Sequence, residues 1–412
     1  MTSDALLVDD IDRFYGSQPP KRLGVAVSGG SDSLALLHLL HDWGRSTLFA
    51  VTVNHGLRPE AASEALHVER ICTGLSIPHT IVEWQGWDGK GNLQDQARRT
   101  RYAMMADWGR DLGLDAIALG HTMDDQAETV LMRLARAAGV DGLSAMSHRM
   151  TRHGIRFDRP LMLHARRSAL RDSLERRGVR WVDDPSNEDE AFDRIKARKA
   201  LATLEPLGLT AETLSDVALH MRLTRQSLER ITFDAAEDLT KSDAGDLIFD
   251  RAALRRQPDE IQRRLLAKGL QWVASADYPP RRDPMIEAEV AVSLGKNTAL
   301  HGCRLLVSQM TVRITREHAA VAETRSPTSM PWDTRWTLTG PTDDALEIRA
   351  LGEAVKNCPD WRNTGRPRAT LLASPSVWQG EMLVSAPLAG LENGWAAQAP
   401  GKDDFLKSLV SH

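Results

Sequence analysis

Leu23-Gly24-Val25-Ala26-Val27-Ser28-Gly29-Gly30-Ser31-Asp32-Ser33 is the stretch that decides the fold. Its first five residues form a short apolar run that reads as a buried strand. The run stops on a Gly/Ser turn, and from Ser33 to Trp43 the spacing becomes helical. In such a turn glycines let the backbone approach a ligand closely, hydroxyls add donors, and the free N–H groups of the helix start favour an anion. The stretch is therefore a candidate phosphate cradle. It is not a Walker A loop, which requires a lysine that is absent here, nor is it G-x-G-x-x-G. The plainer alternative is a turn that merely joins a strand to a helix.

Working outward, Leu48 to Val53, His79 to Glu83 and Ala116 to Leu119 read as further strands. Helices lie between them at Ala61 to Leu75, Leu93 to Leu112 and Asp124 to Ala138. In the last, Ala127, Val130, Leu131, Leu134 and Ala138 form one apolar stripe, with Asp124, Asp125, Glu128 and Arg133 off it. This alternation predicts an α/β domain, an open parallel sheet with helices on both faces, over residues 1–205. Pro206-Leu207-Gly208 marks a boundary. Residues 206–325 read as a mainly helical domain, helical from 210 to 275 and ending in a hairpin built from Thr298 to Leu306 and Gln309 to Ile314. A linker containing Pro327 and Pro331 leads into a small β-rich module over 330–412.

The chain's 412 residues suffice for two to four domains at roughly 150 residues each. Apolar (42%) and charged (26%) contents are globular values, excluding a fibrous or wholly disordered chain. No run approaches the roughly 18 apolar residues that span a bilayer, so no membrane partner is expected. The first twelve residues carry Asp4, Asp9, Asp10 and Asp12 and no Lys or Arg, unlike a signal or transit peptide, so the expected location is cytoplasmic. Cys72, Cys303 and Cys358 are far apart, which argues against a disulfide framework and a thiolate zinc site. The net charge of −4 argues against nucleic acid as a partner, yet it is unevenly spread. Ten arginines between Arg149 and Arg180 face only Asp158, Asp172 and Glu175, a local net of +7. Such a block is either a footprint for phosphates or a solvated helix face.

Two more motifs lie at strand ends, the edge where open α/β sheets bind ligands. Val53-Asn54-His55-Gly56-Leu57-Arg58 ends the second strand, and Gly120-His121-Thr122-Met123-Asp124-Asp125-Gln126-Ala127-Glu128-Thr129 opens a helix. His121 suits an acid/base role or donation to phosphate. Asp124 or Asp125 suits Mg²⁺ or an incoming ammonium group, although acids at a helix start are also expected from the macrodipole.

S-G-G-x-D-S after the first strand resembles the PP-loop family of ATP pyrophosphatases. The resemblance implies ATP held by Ser28, Gly29, Gly30, Ser31, Asp32, Ser33 and His55, cleavage between its α and β phosphates, and Mg²⁺ with Asp32 as a ligand. Further motifs in order are similar to those of the tRNA(Ile)-lysidine synthases: Arg98-Arg99-Thr100-Arg101-Tyr102, Ala138-Gly139-Val140-Asp141-Gly142-Leu143, Arg159-Pro160-Leu161 and Trp181-Val182-Asp183-Asp184-Pro185-Ser186-Asn187, with Arg194 and Arg198 beyond. That resemblance implies ATP-dependent ligation of L-lysine to the wobble cytidine of tRNA(Ile) with a CAU anticodon, through an adenylated cytidine. By the same resemblance Asp32, His121 and Asp125 are catalytic and Arg194, Arg198 and Arg101 contact tRNA; lysine must be captured by carboxylates, for which Asp125 or Glu128 are the candidates. A homodimer is also allowed. The chain departs from the pattern at Ile195, where Asn is usual, and at Ala137, where glycine is common.

Three other readings compete. A thiolating PP-loop enzyme needs paired cysteines or an iron–sulfur cluster. A small-molecule synthetase or amidotransferase needs no tRNA-binding additions and, when fed by glutamine, a catalytic Cys. A non-catalytic RNA-binding protein needs none of the site residues. Tryptophans 332, 336, 361, 378 and 395 read as core anchors more readily than as base-stacking platforms.

Overall fold

β1 (Arg22–Ala26) is buried from Leu23 to Ala26 because it has a parallel neighbour on each side, β2 (Thr47–Asn54) and β4 (Ala116–Leu119). β3 (His79–Glu83) continues the sheet beyond β2, while β6 (Ile155–Asp158) and then β5 (Arg149–Arg152) continue it beyond β4. The order is β3-β2-β1-β4-β6-β5, parallel except for the edge strand β5. The computed structural model describes residues 3–54, 61–84, 93–182, 193–341, 343 and 345–410. It divides into two compact units between Arg225 and Gln226.

In the first unit, α1 (Asp4–Tyr15), α2 (Ser31–Trp43), α3 (Ala61–Gly74) and α7 (Arg167–Arg176) share one core with the sheet, and α4 (Leu93–Asp111) forms another. The strands feed both cores by alternation: Ala116 and Ala118 belong to the first, Ile117 and Leu119 to the second. The expected open sheet with helices on both faces is present. The β5–β6 hairpin was not anticipated. Its turn is His153-Gly154, both at positive φ, and Ile155 and Phe157 are buried in alternation. The arginines at 149, 152 and 156 hide that pattern in the sequence.

α5 (Met123–Leu134) does not lie on the sheet. Met123, Ala127 and Val130 pack against Ala211, Leu214 and Ala218 of α9 (Ala211–Leu239). α6 (Val140–Leu143) follows α5, and α8 (Asp193–Leu204) precedes α9. α5 stops four residues earlier than its spacing predicts. Ala137, just beyond, has φ 52°, a left-handed conformation that favours glycine, which supplies a reason for the glycine common at this place in the family the sequence resembles. Leu134 on the expected stripe is 53% exposed, whereas Glu128 off it is 1% exposed. The helix is covered on its acidic face as well as its apolar one.

The second unit has two cores. Its five-stranded antiparallel sheet runs β7 (Thr240–Asp243), β8 (Asp246–Asp250), β11 (Thr311–Arg316), β10 (Cys303–Val307), β9 (Thr298–Leu300) in that order. Helices Asp259–Val273 and Arg282–Ser293 pack with it. The β7–β8 hairpin corrects the reading of 210–275 as helical throughout. Ala244 and Gly245 turn the chain at positive φ, and Leu247 and Phe249 alternate into the core. The later hairpin gains a third strand, because His301-Gly302 folds β9 back on β10. Ser326–Pro327 is a short strand paired with Leu346–Ala350 rather than an open linker. Trp332, Trp336 and Trp395 are buried in the second core, as core anchors should be, and Trp361 packs against it partly buried; Trp378 instead is half-buried on its strand beneath Arg349. The terminal helix Lys402–Val410 places Phe405, Leu406 and Leu409 in the first of the two cores. No helix among the described residues is long and apolar enough to cross a membrane.

Candidate active site

Gly30 caps α2 from an extended backbone, so the turn that sequence marks as a cradle lies directly on a helix N-terminus. Gly29 has φ +85°, the conformation for which glycine is needed. Ser33 ties the turn down: its hydroxyl accepts from the Ser28 backbone N–H at 3.1 Å and donates to the Gly30 carbonyl at 3.0 Å. The Ser28 hydroxyl lies 3.2 Å from that of Ser33. One wall comes from β4. A Cβ on Gly120 would stand 2.9 Å from both the Asp32 carbonyl oxygen and the Ser33 Cα. Another wall is the segment at Trp181 and Val182, where the Val182 N–H donates to the Gly29 carbonyl at 2.9 Å.

α5 begins with a capping box. The Asp125 N–H donates to the Thr122 hydroxyl, and Asp125 Oδ2 accepts from the Thr122 N–H at 2.8 Å. This fixes the other oxygen, Oδ1, which accepts from Arg167 Nη2 at 2.8 Å and faces Arg194 Nη2 at 3.3 Å. One turn on, Glu128 Oε1 accepts from Arg198 Nε at 2.9 Å and Arg167 Nη1 at 3.2 Å, and Oε2 accepts from Arg194 Nε at 2.9 Å. Arg167 also donates through Nε to Asp32 Oδ2 at 3.0 Å. Asp32, Asp125 and Glu128 thus meet Arg167, Arg194 and Arg198 in one cluster of balanced charge. Balance is what such burial requires, because an unpaired buried charge is very costly. Burial lifts the Asp32 carboxyl above its ordinary range despite Arg167. At Asp125 burial acts the same way, but Arg194 and Arg167 outweigh it and hold this carboxyl below the usual range.

His121 lies beside the cluster. Arg159 Nε donates to His121 Nδ1 at 3.3 Å, and a guanidinium has no acceptor, so Nδ1 carries a lone pair and the proton of the neutral ring sits on Nε2. Burial and the Arg159 charge push the imidazole down to about 3. At neutral pH the ring presents an N–H donor rather than a proton to give away. Arg159 is itself fixed by the Ser147 carbonyl at 2.6 Å and the Tyr102 hydroxyl at 3.2 Å. Arg101 stands close enough to add to the depression of His121.

The structure therefore brings together Asp32, His121, Asp125, Glu128, Arg194, Arg198 and the Ser28–Ser33 turn. His55 and the Asp183–Asn187 motif lie outside the described residues. Asp124 is used for docking instead. Its Oδ2 accepts from the Arg167 backbone N–H at 2.6 Å and its Oδ1 from Arg166 Nε at 3.1 Å, which holds the start of α7 on α5. Arg167 and Arg159 were not singled out individually by sequence reasoning. Arg167 did leave a signal, since Arg166 and Arg167 open a helix whose first turn holds no acid, against the macrodipole. The arginine block is mostly consumed inside the protein. Arg149 and Arg156 meet Asp158, Arg176 meets Asp4, and Arg177 meets Asp4 and Asp42. Neither an unengaged row of phosphate contacts nor a simply solvated face describes it.

Two half-buried histidines give this unit an acid sensitivity. Burial, then Arg222, pushes His148 down to about 4, and His121 is depressed further. Both lie below the unfolded value of about 6.5, so between these limits the unfolded chain binds protons that the folded chain refuses. Stability is then lost as pH falls from about 6.5 toward 4. Urea unfolding at pH 7, 5.5 and 4.5 should show that decline, and His148→Gln should flatten it. A midpoint independent of pH across this window would refute the assignment of neutral rings.

Residues 4–205 match the PP-loop domain family. The chain is 50% identical over 411 residues to the tRNA(Ile)-lysidine synthase of Ruegeria pomeroyi, covering 98% of each chain. It is 34% identical over 339 residues to that of Wolbachia pipientis, covering 79% of this chain and 78% of the other. Among solved structures, the U34-tRNA thiolase of Methanococcus maripaludis aligns at 17% identity and a TM-score of 0.46, over 53% of this chain and 78% of that one.

Proposed function

The chain belongs to the tRNA(Ile)-lysidine synthases, ATP-using ligases that modify tRNA, and on that premise we propose how its residues share the work. ATP lies on the Ser28–Ser33 turn and on His55, its pyrophosphate over the N-terminus of α2. The wobble cytidine of a CAU-anticodon tRNA(Ile), taken out of its stack, receives the adenylyl group on the carbonyl oxygen between its ring nitrogens. His121, as a neutral N–H donor, stabilises negative charge on the phosphate being attacked. L-lysine is captured by Asp125 and Glu128, its ε-amine attacks the activated carbon, and AMP leaves. Arg194, Arg198 and Arg101 hold tRNA at the rim. Residues 1–205 carry the chemistry, with 206–325 and 330–412 selecting the tRNA.

The single observation that carries this reading is the placement of Asp125 and Glu128. Two carboxylates one turn apart, Asp125 fixed by a capping box and Glu128 by arginines, stand together beside the Ser28–Ser33 turn. Mg²⁺ fits the same corner. It commonly takes one or two carboxylates and completes its octahedron with phosphate and water oxygens, so Asp32 would hold it. It would neutralise the departing pyrophosphate.

The test is incubation with radiolabelled ATP, labelled lysine and a panel of tRNA transcripts. AMP release that depends on lysine, with label entering only the CAU-anticodon tRNA(Ile), is the expected result. Transfer of sulfur, ATP turnover without tRNA, or tRNA binding with no turnover would each overturn it.

A further inference from the structure

The first unit holds a second gathering of arginines, and unlike Arg167, Arg194 and Arg198 these meet neutral groups. Arg98 stands on α4, Arg133 in the last turn of α5, Arg159 just after β6 and Arg222 on α9. Arg133 Nη1 donates to the Gly142 and Ala145 carbonyls at 2.7 and 2.9 Å. Arg159 Nη1 donates to the Ser147 carbonyl at 2.6 Å, and Arg222 Nη2 to the Met146 carbonyl at 3.2 Å. Arg222 Nη1 meets His148 Nε2, on a ring that is neutral at pH 7. Arg98 lies over the Tyr102 ring, 5.4 Å from its centroid. Among the described residues no carboxylate pairs with any of these arginines.

Carbonyl oxygens satisfy N–H groups but leave the net charge standing. The C-terminal end of α5 favours a cation, which accounts for Arg133 at most. The rest repel one another: burial and then Arg225 push Arg222 down to about 10, and burial, Arg225 and Arg98 lower Arg133. Half-buried cations in such company are costly unless a ligand brings the anion. We propose that Arg98, Arg133 and Arg222 bind the tRNA backbone, taking phosphodiesters next to the cytidine that enters the active site. Arg159 fixes the place, since it bonds His121 on one side and Ser147 on the other. Residues 142–148, which Arg133 and Arg222 hold, therefore adjoin the active site. Arg133 uses only Nη1 on that segment, and its Nε and Nη2 edge offers the planar fork suited to phosphate oxygens. Phosphates of ATP are met at the Ser28–Ser33 turn, to which none of the three arginines is bonded.

The inference rests on tRNA as the substrate. AMP release by the wild-type protein tests that premise by itself, and release indifferent to tRNA would remove it. With the premise in place, binding of a CAU-anticodon tRNA(Ile) transcript is titrated at several salt concentrations, and ATP binding is measured without tRNA. Arg133→Gln and Arg222→Gln should each weaken tRNA binding about ten- to a hundredfold and flatten the slope of log K against log salt by about 1. A tRNA(Met) transcript should lose the same factor, because phosphate contacts carry no sequence information. ATP affinity should stay within about twofold. Arg98 is exposed and gives up no hydrogen bond, so Arg98→Gln, which should flatten the slope as well, keeps the test open if the other variants do not fold. Arg45→Gln, at an exposed arginine paired with Asp12, should match wild type. A merely structural role on residues 142–148 would lower stability and leave the slope unchanged, which would overturn the assignment. Loss of ATP affinity with tRNA binding intact would overturn it too, and would give these arginines to ATP.

Discussion

Asp125→Asn is expected to lower lysine- and tRNA-dependent AMP release by at least about a hundredfold and to destabilise the first unit by roughly 3 kcal/mol. The substitution keeps the shape and removes the charge, yet each oxygen of the carboxylate has its own fixed obligations. Oδ2 accepts from the Thr122 N–H and hydroxyl, while Oδ1 faces Arg167 and Arg194. An asparagine has one acceptor oxygen and one NH₂ group. With its oxygen kept in the cap, its NH₂ opposes two guanidinium groups; with the amide flipped, it opposes the Thr122 N–H. Both arrangements put donor against donor in a buried place, and Arg167 and Arg194 lose a partner charge. Circular dichroism, urea unfolding and the labelled-lysine assay read the two effects. Activity within twofold of wild type would show that the Asp125 charge has no part in the reaction.

The ease with which this site could be read differs between its halves, for a physical reason. The turn and the strand ends are local: Leu23 to Ser33 spells a buried strand, a glycine at positive φ and a helix start in eleven consecutive residues. The cation cluster is not local. Asp32, Asp125, Glu128, Arg167, Arg194 and Arg198 come from four helices, and their partnership follows from how α5, α7 and α8 pack. Periodicity correctly set Asp125 and Glu128 off the apolar stripe of α5, but off the stripe suggests solvent. Here it means a second buried face, closed by arginines instead of leucines. The basic block misleads in the same way, since net charge counts residues and cannot tell an arginine facing water from Arg177 between Asp4 and Asp42. The two hairpins at 149–158 and 240–250 escaped because their strands are four or five residues long, too short for alternation to stand out among charged side chains.

Gly120→Ala tests how tightly the ATP turn is held against the sheet. Gly120 follows β4, and an added Cβ would lie 2.9 Å from the Asp32 carbonyl oxygen and from the Ser33 Cα. Both are backbone atoms at the start of α2, so no side chain can rotate away. α2 cannot retreat easily either, because Leu34, Leu36, Leu37, Leu39 and Leu40 are fully buried in an interior packed like a crystal. Relief therefore comes from moving the turn by roughly 0.5 Å or more, and misplacement on the order of 1 Å can cost about a hundredfold in rate. The expected result is a fall of about ten- to a hundredfold in kcat/KM for ATP with the fold retained. Gly139→Ala is the matched comparison. Gly139 belongs to another of the motifs shared with the family, yet its φ is −81° and nothing lies within 4 Å of an added Cβ. That variant should keep wild-type stability and ATP affinity. If both glycines tolerate alanine equally in the ATP titration, β4 does not buttress the turn. If neither does, the glycine at 139 has a role that its backbone and free space do not require.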